Sequence, residues 1–228
     1  MSHAIAPSLN LRTGISLNAE LAALHASRVA SWKPEDLQVN IDQRQTLVDG
    51  FDPQGSPQVG DVLENFLLPE VDGGTVSLDL LVSRGRTVLV FFRFAGCPAC
   101  NLALPHYQRE LYPALQEAGV SLAAISPQPV ERLVAIKTRH DLSFPVLSDT
   151  NSDLARRLGL LYQFDAPSRA AAASKGSSIR ELNGTDAWEL PQPAIIIVGP
   201  GRIVQFIDIS PDWLVRTEAQ TILDALEL

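Results

Sequence analysis

The first fifty residues carry apolar side chains at the spacing of two amphipathic helices. Ser16 is a suitable N-cap for a helix over residues 16–31, and Pro34 suits the first turn of a second helix. The apolar positions are Leu17, Leu21, Leu24 and Val29 in the first helix and Leu37, Ile41 and Val48 in the second. Two such helices cannot bury these positions against each other alone. They therefore pack either on the rest of the chain or on a second subunit, which would make a homodimer.

A turn-rich segment, residues 49–61, separates the helical pair from a region in which strands and helices alternate. Strands are predicted at residues 75–78, 86–94, 120–126, 144–148, 194–198 and 203–209. Helices are predicted at residues 97–119, 129–141 and 151–160 and from Pro211 to the C-terminus, with an irregular excursion at residues 165–191. The apolar run at residues 86–94 is typical of a strand buried on both faces. This order predicts an α/β fold, with a central mixed β-sheet flanked by helices.

Composition and charge narrow the class of protein. The chain has 228 residues, 46% of them hydrophobic, which suits one globular domain with an appendage. A formal net charge of -8 argues against binding to nucleic acid or to an anionic membrane. The first twenty residues lack the basic and apolar segments of a secretory signal, and no apolar run reaches the length of about 18 residues that spans a bilayer. We therefore expect a cytoplasmic protein.

The only two cysteines, Cys97 and Cys100, lie in a Cys-Pro-Ala-Cys unit between the buried strand and a helix. At a helix N-terminus, free N–H groups and the helix dipole stabilise a thiolate, so the pKa of Cys97 is expected to fall. A thiolate is the nucleophilic form of cysteine. Cys97 is therefore the expected attacking residue, and Cys100, one turn along, is the expected resolving residue.

Three other uses of the cysteines stay open. A structural disulfide would close only a short loop and gain little stability. Two thiolates supply half of a tetrahedral zinc site, and none of the four histidines is placed by its spacing to complete it. Two inert core thiols are the third alternative. Redox chemistry is favoured over all three, and the sequence predicts neither a metal nor a cofactor.

Several segments resemble the peroxiredoxin-like group, also called the alkyl hydroperoxide reductase, thiol-specific antioxidant or redoxin group, of the thioredoxin-like superfamily. They are "VGDVLENFLLPEVDGGTVSLDLL", "VLVFFRFAGCPACNLALP", "AAISPQ" and "FPVLSDTNSDLARRLGL". The resemblance implies a thioredoxin-like domain over residues 58–228 and makes residues 1–57 a helical extension with a linker. It further implies reduction of hydroperoxides, with thioredoxin or a similar dithiol as electron donor.

The resemblance also implies supporting residues around the cysteines. They are Arg93, Phe94, Pro98, Gln192 and Pro193. Pro193 matches the cis-proline that faces the CxxC motif in thioredoxin-like folds, and Gln192 would offer backbone atoms to a substrate. The alternative for Pro193 is a trans proline that begins an edge strand.

Three departures from the family pattern concern the peroxide site. Phe94 stands where relatives carry a Thr or Ser hydroxyl, Val90 stands where they carry a proline, and their second arginine has no clear match. Arg93 either lowers the pKa of Cys97 or forms a surface or inter-subunit ion pair. If strand alternation continued, Arg93 and Phe94 would point to opposite faces of the sheet.

Three functions are consistent with these patterns. The first is a hydroperoxide reductase, and the second is a thiol–disulfide oxidoreductase acting on protein or small-molecule disulfides. The third is a redox sensor whose helical arm binds a partner.

Overall fold

The computed structural model describes residues 14–174, 176 and 178–228. Its helices are α1 Leu17–Ser31, α2 Pro34–Asp49, α3 Leu78–Val82, α4 Cys100–Glu110, α5 Tyr112–Glu117, α6 Val130–Arg139, α7 Asp153–Arg157, α8 Ala166–Ser174, α9 Ile179–Asn183 and α10 Ala219–Ala225. Its strands are β1 Leu67–Pro69, β2 Thr75–Ser77, β3 Thr87–Phe91, β4 Ser121–Ser126, β5 Val146–Ser148, β6 Leu161–Gln163, β7 Glu189–Pro191, β8 Ala194–Val198 and β9 Val204–Ile209. Short 3-10 turns occupy Pro53–Gly55, Thr150–Ser152 and Pro200–Arg202.

Five strands form the central sheet, in the order β5-β4-β3-β8-β9. Strands β3, β4 and β5 are parallel, whereas β8 runs antiparallel to β3 and β9 antiparallel to β8. All five residues of β3 are buried, because alternate side chains enter two hydrophobic clusters on opposite faces of the sheet. The expected α/β fold, with a mixed sheet flanked by helices, is confirmed.

The apolar run at residues 86–94 forms a shorter strand than expected, because the chain leaves the sheet after Phe91. The N–H of Phe92 still donates to the carbonyl of Ile125, at 2.9 Å, and the loop to α4 begins beyond it. The predicted helix over residues 97–119 is in fact two helices, α4 and α5, which meet at Leu111.

Two further expectations about the second half of the chain were wrong. The region of residues 165–191, expected to be irregular, contains α8, α9 and β7. The closing helix, expected to begin at Pro211, is only α10, and residues 211–218 form a loop. In this loop the carboxylate of Asp212 accepts the N–H of Leu214, at 2.9 Å, which favours a turn over a helix.

The helical extension packs on the sheet domain. Leu17 and Leu21 on α1 are fully buried, and both belong to the cluster that contains α4 and α10 residues. The Glu218 carboxylate accepts the backbone N–H groups of Leu17, at 3.0 Å, and Asn18, at 2.9 Å. Of the two packing alternatives, the structure therefore shows the first, and a dimer stays a prediction.

Not every apolar residue of the extension contributes to this contact. Val29, expected on the buried face of α1, is 56% exposed, and Val48 on α2 is 46% exposed. The expectation about a secretory signal concerns the first twenty residues, of which residues 1–13 lie outside the described residues. No helix among the described residues has the length and apolarity needed to cross a membrane.

The packing of α1 predicts a stability difference between two truncations on the same helix. Leu21→Ala should lower the free energy of unfolding by about 2–5 kcal/mol, because it leaves a cavity in the core. Val29→Ala removes an exposed side chain and should change it by less than about 0.5 kcal/mol. Urea unfolding followed by circular dichroism measures both variants. Equal midpoints would contradict the packing of α1 on the domain.

Candidate active site

The two cysteines lie in the loop between β3 and α4 and in the first turn of that helix. The Cys97 N–H donates to the Phe94 carbonyl, at 3.1 Å, and the Cys97 carbonyl accepts the N–H of Asn101, at 3.0 Å. Cys97 thus closes a tight turn and begins the hydrogen bonding that leads into α4. Both cysteines are free thiols, with exposed fractions of 0% for Cys97 and 1% for Cys100.

Two buried or half-buried amides hold this loop in place. The Asn101 side chain donates to the carbonyls of Ala95, at 2.7 Å, and Cys97, at 2.9 Å. The Gln128 side chain accepts the N–H of Ala95, at 2.6 Å, and donates to the carbonyl of Leu182, at 3.0 Å. The sequence analysis missed both residues. Asn101 follows Cys100 directly, and Gln128 ends the segment "AAISPQ" that resembles the family, so both could have been considered.

Arg93 lies against the attacking candidate. Its Nη1 is 3.8 Å from the Cys97 Sγ, and the side chain is only 5% exposed. Aromatic rings surround the guanidinium, with centroids at 4.3 Å for Trp213, 5.5 Å for Phe94 and 5.9 Å for Tyr162. None of the ion pairs between described residues includes Arg93. The guanidinium is therefore held by rings and by sulfur, and its charge acts on Cys97.

This geometry decides between the two interpretations of Arg93. A surface ion pair is excluded by its burial, and the effect on the pKa of Cys97 is retained. The expected separation of Arg93 and Phe94 on opposite faces was wrong, because the strand ends at Phe91 and alternation stops there. Arg93 and Phe94 instead line one cavity, together with Pro98.

The two thiols are electrostatically unlike. Burial raises the pKa of Cys97, whereas a hydrogen bond from the Cys100 thiol and the charges of Arg93 and Arg216 lower it. The lowering effects together exceed the effect of burial, so the pKa of Cys97 lies well below its ordinary value. Burial raises the pKa of Cys100, and the contact with Cys97 raises it again. Cys97 is thus the thiol that ionises first, and Cys100 is the hydrogen-bond donor that favours its thiolate.

Two more arginines act on Cys97, and the sequence analysis missed both. Arg216 is buried in the loop before α10 and donates to the Val215 carbonyl, at 2.8 Å. Arg28, on α1, is 5% exposed, and its guanidinium lies over the rings of Trp32, at 5.0 Å, and Trp213, at 5.4 Å. Both lie far from the cysteines along the chain, so only the tertiary fold brings them together.

The structure corrects the expectation for Pro193 and Gln192. The peptide bond before Pro193 is trans. Pro193 does lie beside Cys100, with which it lines a void of about 10 Å³. The backbone groups around Pro193 already have hydrogen-bond partners. The Gln192 N–H donates to the Leu160 carbonyl, at 2.7 Å, and the Pro193 carbonyl accepts the N–H of Ser210, at 2.8 Å. The Gln192 N–H is therefore not offered to a substrate chain.

A metal centre finds no support in the part of the chain that the structure describes. It contains no group of three or more His, Cys, Asp or Glu side chains placed to hold an ion. His140, for example, contacts the Asn101 side-chain oxygen, at 2.8 Å.

A family model described as the AhpC/TSA family matches residues 59–207. The chain belongs to the AhpC/TSA family. It is a thiol-dependent enzyme, a peroxidase or an oxidoreductase. The thiol-disulfide oxidoreductase ResA of Bacillus cereus is 27% identical over 150 residues, which cover 63% of this chain and 81% of ResA. The Mycobacterium tuberculosis protein Rv1608c, provisionally named a peroxiredoxin, is 30% identical over 103 residues, which cover 45% of this chain and 66% of Rv1608c.

Solved structures of AhpC/TSA-type proteins share the fold. Peroxidoxin BcpB from Mycobacterium tuberculosis superposes with a TM-score of 0.58 and 22% identity, covering 75% of this chain and 96% of BcpB. Enterococcus faecalis AhpC superposes with a TM-score of 0.57 and 19% identity, covering 74% of this chain and 90% of AhpC. These matches support the thioredoxin-like assignment of the sheet domain.

The charge arrangement predicts how this family member titrates. The Cys97 thiolate should persist as the pH falls well below the range of an ordinary thiol, whereas Cys100 should ionise only above that range. Arg93→Met should raise the pKa of Cys97, because it removes the cation that lies 3.8 Å from the sulfur. Far-ultraviolet thiolate absorbance, taken as a difference against Cys97→Ser, measures this pKa without a reagent having to reach the buried sulfur.

Arg109→Met is the matched control for this titration. Its side chain is 54% exposed and contacts only Glu20, at 3.5 Å, so the pKa of Cys97 should stay unchanged. An Arg93→Met protein with the same Cys97 pKa as the wild type would contradict the electrostatic role of Arg93.

Proposed function

We propose that this protein reduces hydroperoxides, with Cys97 as the attacking thiolate and Cys100 as the resolving thiol. An external dithiol of the thioredoxin type then regenerates the enzyme. The observation that carries the proposal is the buried Cys97 sulfur with the Arg93 guanidinium at 3.8 Å, an arrangement that lowers the pKa of Cys97 while the pKa of Cys100 is raised.

In the first step the Cys97 thiolate attacks the outer oxygen of the hydroperoxide. The S–O bond forms as the O–O bond breaks, and the leaving alkoxide takes a proton and departs as the alcohol. Cys97 is oxidised to a sulfenic acid, and the peroxide is reduced. Negative charge moves from sulfur to the departing oxygen, and Arg93 and Arg216 are the cations near enough to stabilise it.

In the second step Cys100 attacks the sulfur of the Cys97 sulfenic acid. A disulfide forms, and the hydroxyl leaves as water with the proton of the Cys100 thiol. The sulfenic acid is neutral, so the negative charge that raised the pKa of Cys100 is gone when Cys100 must act. The dithiol donor then exchanges with the disulfide and returns both cysteines to the thiol state, becoming oxidised itself.

Two features favour hydroperoxides over protein disulfides as substrates: the burial of Cys97, and the hydrogen-bonded backbone at Gln192 and Pro193. Cys97 has no exposed surface, so a small peroxide meets fewer barriers than a folded partner. The trans peptide at Pro193 and the occupied Gln192 N–H leave no ready edge for a substrate chain. Similarity to ResA keeps thiol–disulfide exchange as a second candidate. Phe94 at the position of the family hydroxyl also favours it.

A rapid-mixing experiment tests the proposal. The reduced protein should react with hydrogen peroxide orders of magnitude faster than a free cysteine thiolate at the same pH, with tryptophan fluorescence as the signal. Trp213 is a suitable reporter because it packs against Arg93. Cys97→Ser should be silent. Cys100→Ser should react once and stop at the sulfenic acid, which dimedone traps for mass spectrometry.

Two results would overturn the proposal in different ways. Peroxide oxidation no faster than that of free cysteine, with rapid reduction of a disulfide, would establish the second candidate, and Cys100→Ser would then trap a mixed disulfide. Slow reaction with both, with a redox-dependent change in association state, would establish a sensor.

A further inference from the structure

A cavity of about 220 Å³ lies between the helical extension, α8 and the active-site loop. Arg93, Phe94 and Pro98 form the wall on the cysteine side, so the cavity reaches the residues that bracket Cys97. Trp32, Phe164 and Ile179 contribute apolar surface. The volume equals that of about seven water molecules in the liquid, which suits a compact organic molecule.

Five residues that line this cavity each carry a buried polar atom without a partner. Within the described part of the chain, no hydrogen bond reaches Arg28 Nη1, Arg93 Nε, Gln43 Nε2, Ser168 Oγ or Asn40 Oδ1. Buried polar groups are normally hydrogen-bonded, and leaving one unmade costs free energy. Three of these five atoms are N–H donors and a fourth is a hydroxyl. The lining therefore offers donors to a ligand that brings acceptors.

Two arginines, Arg28 and Arg93, and one carboxylate, Asp36, line the cavity. Arg28 is 5% exposed, and burial, Arg44 and Arg93 lower its pKa, while Cys97 raises it. Arg44 is already matched by Asp212, at 2.9 Å, and Arg93 by the Cys97 thiolate. Arg28 is thus a buried cation on which Cys97 exerts the strongest favourable charge effect.

We infer that Arg28 and Gln43 of the helical extension bind the carboxylate of the substrate, which is a compact organic hydroperoxide with an apolar body and a carboxylate. The inference rests on the proposed function and specifies its substrate class. Arg28 and Gln43 hold the carboxylate, the aromatic surface holds the body, and the peroxide group extends past Arg93 to Cys97.

The test compares para-carboxycumene hydroperoxide with its methyl ester, which differs in charge at one end. Wild-type protein should prefer the acid, expressed as the acid-to-ester ratio of kcat/KM. Arg28→Met should lower this ratio about tenfold or more, because it removes a charged hydrogen-bond donor. Arg28→Lys keeps the charge and should retain part of the preference. Arg109→Met, an exposed arginine outside the cavity, should leave the ratio unchanged.

A binding experiment separates this inference from the proposed function. The alcohol product of the acid should bind to Cys97→Ser protein more tightly than the alcohol of the ester, as measured by calorimetry. Arg28→Met in that background should remove the difference. This result would uphold the carboxylate site even if the wild-type protein proved slow with every peroxide.

Three outcomes would overturn the inference. The first is that the wild-type protein shows no preference for the acid in turnover or in binding. The second is that Arg28→Met lowers turnover of the acid and the ester equally. The third is that Arg28→Met leaves the preference for the acid unchanged. Equal loss would mean that Arg28 acts on the Cys97 thiolate and not on the ligand.

Discussion

A guanidinium lies against the buried Cys97 thiol, and among the described residues no carboxylate pairs with it. Arg93 is held by three aromatic rings, an arrangement that contributes about 0.5–2 kcal/mol per ring contact while leaving the charge unneutralised. A carboxylate in the same position would cancel the field at the sulfur. The aromatic rings therefore hold the Arg93 guanidinium in position, and the Cys97 thiolate serves as its counter-charge.

Trp213 links this pair to the helical extension. Its ring contacts Arg93, Arg28 and Arg44, and its Nε1 donates to the Gln43 side chain, at 3.3 Å. The loop that carries Trp213 precedes α10 and is joined to α1 through Glu218. The extension thus forms one wall of the site and is more than an appendage of the sheet domain. The family model begins at residue 59, so the extension supplies what the shared fold does not.

The sequence predicted those parts of the structure that depend on local pattern. The buried strand β3, the cap at Ser16 and the cysteine pair before a helix follow from apolar runs, side-chain chemistry and spacing along the chain. Arg28 and Arg216 were missed because only tertiary packing brings their charges to Cys97, and Gln128 was missed because only packing brings it to the active-site loop at Ala95. The sequence placed Pro193 near Cys100, as in the structure, but it predicted a cis peptide bond where the bond is trans. A motif does not fix how the neighbouring backbone is hydrogen-bonded. Residues 211–218 were predicted as helix because their apolar residues fit helical spacing. In the structure they form a loop, and Trp213 is buried there against Arg93.

Phe94 then has a physical explanation that the family pattern alone does not provide. A hydroxyl at this position would supply one local donor, at the cost of a polar atom that must itself be satisfied when buried. Here Arg93, Arg216 and Arg28 supply positive charge from three separate parts of the chain. An aromatic ring beside Arg93 excludes water, and the field of a charge is less screened where water is absent. Phe94 and the three arginines therefore act together, because the ring strengthens the interaction that replaces the hydroxyl.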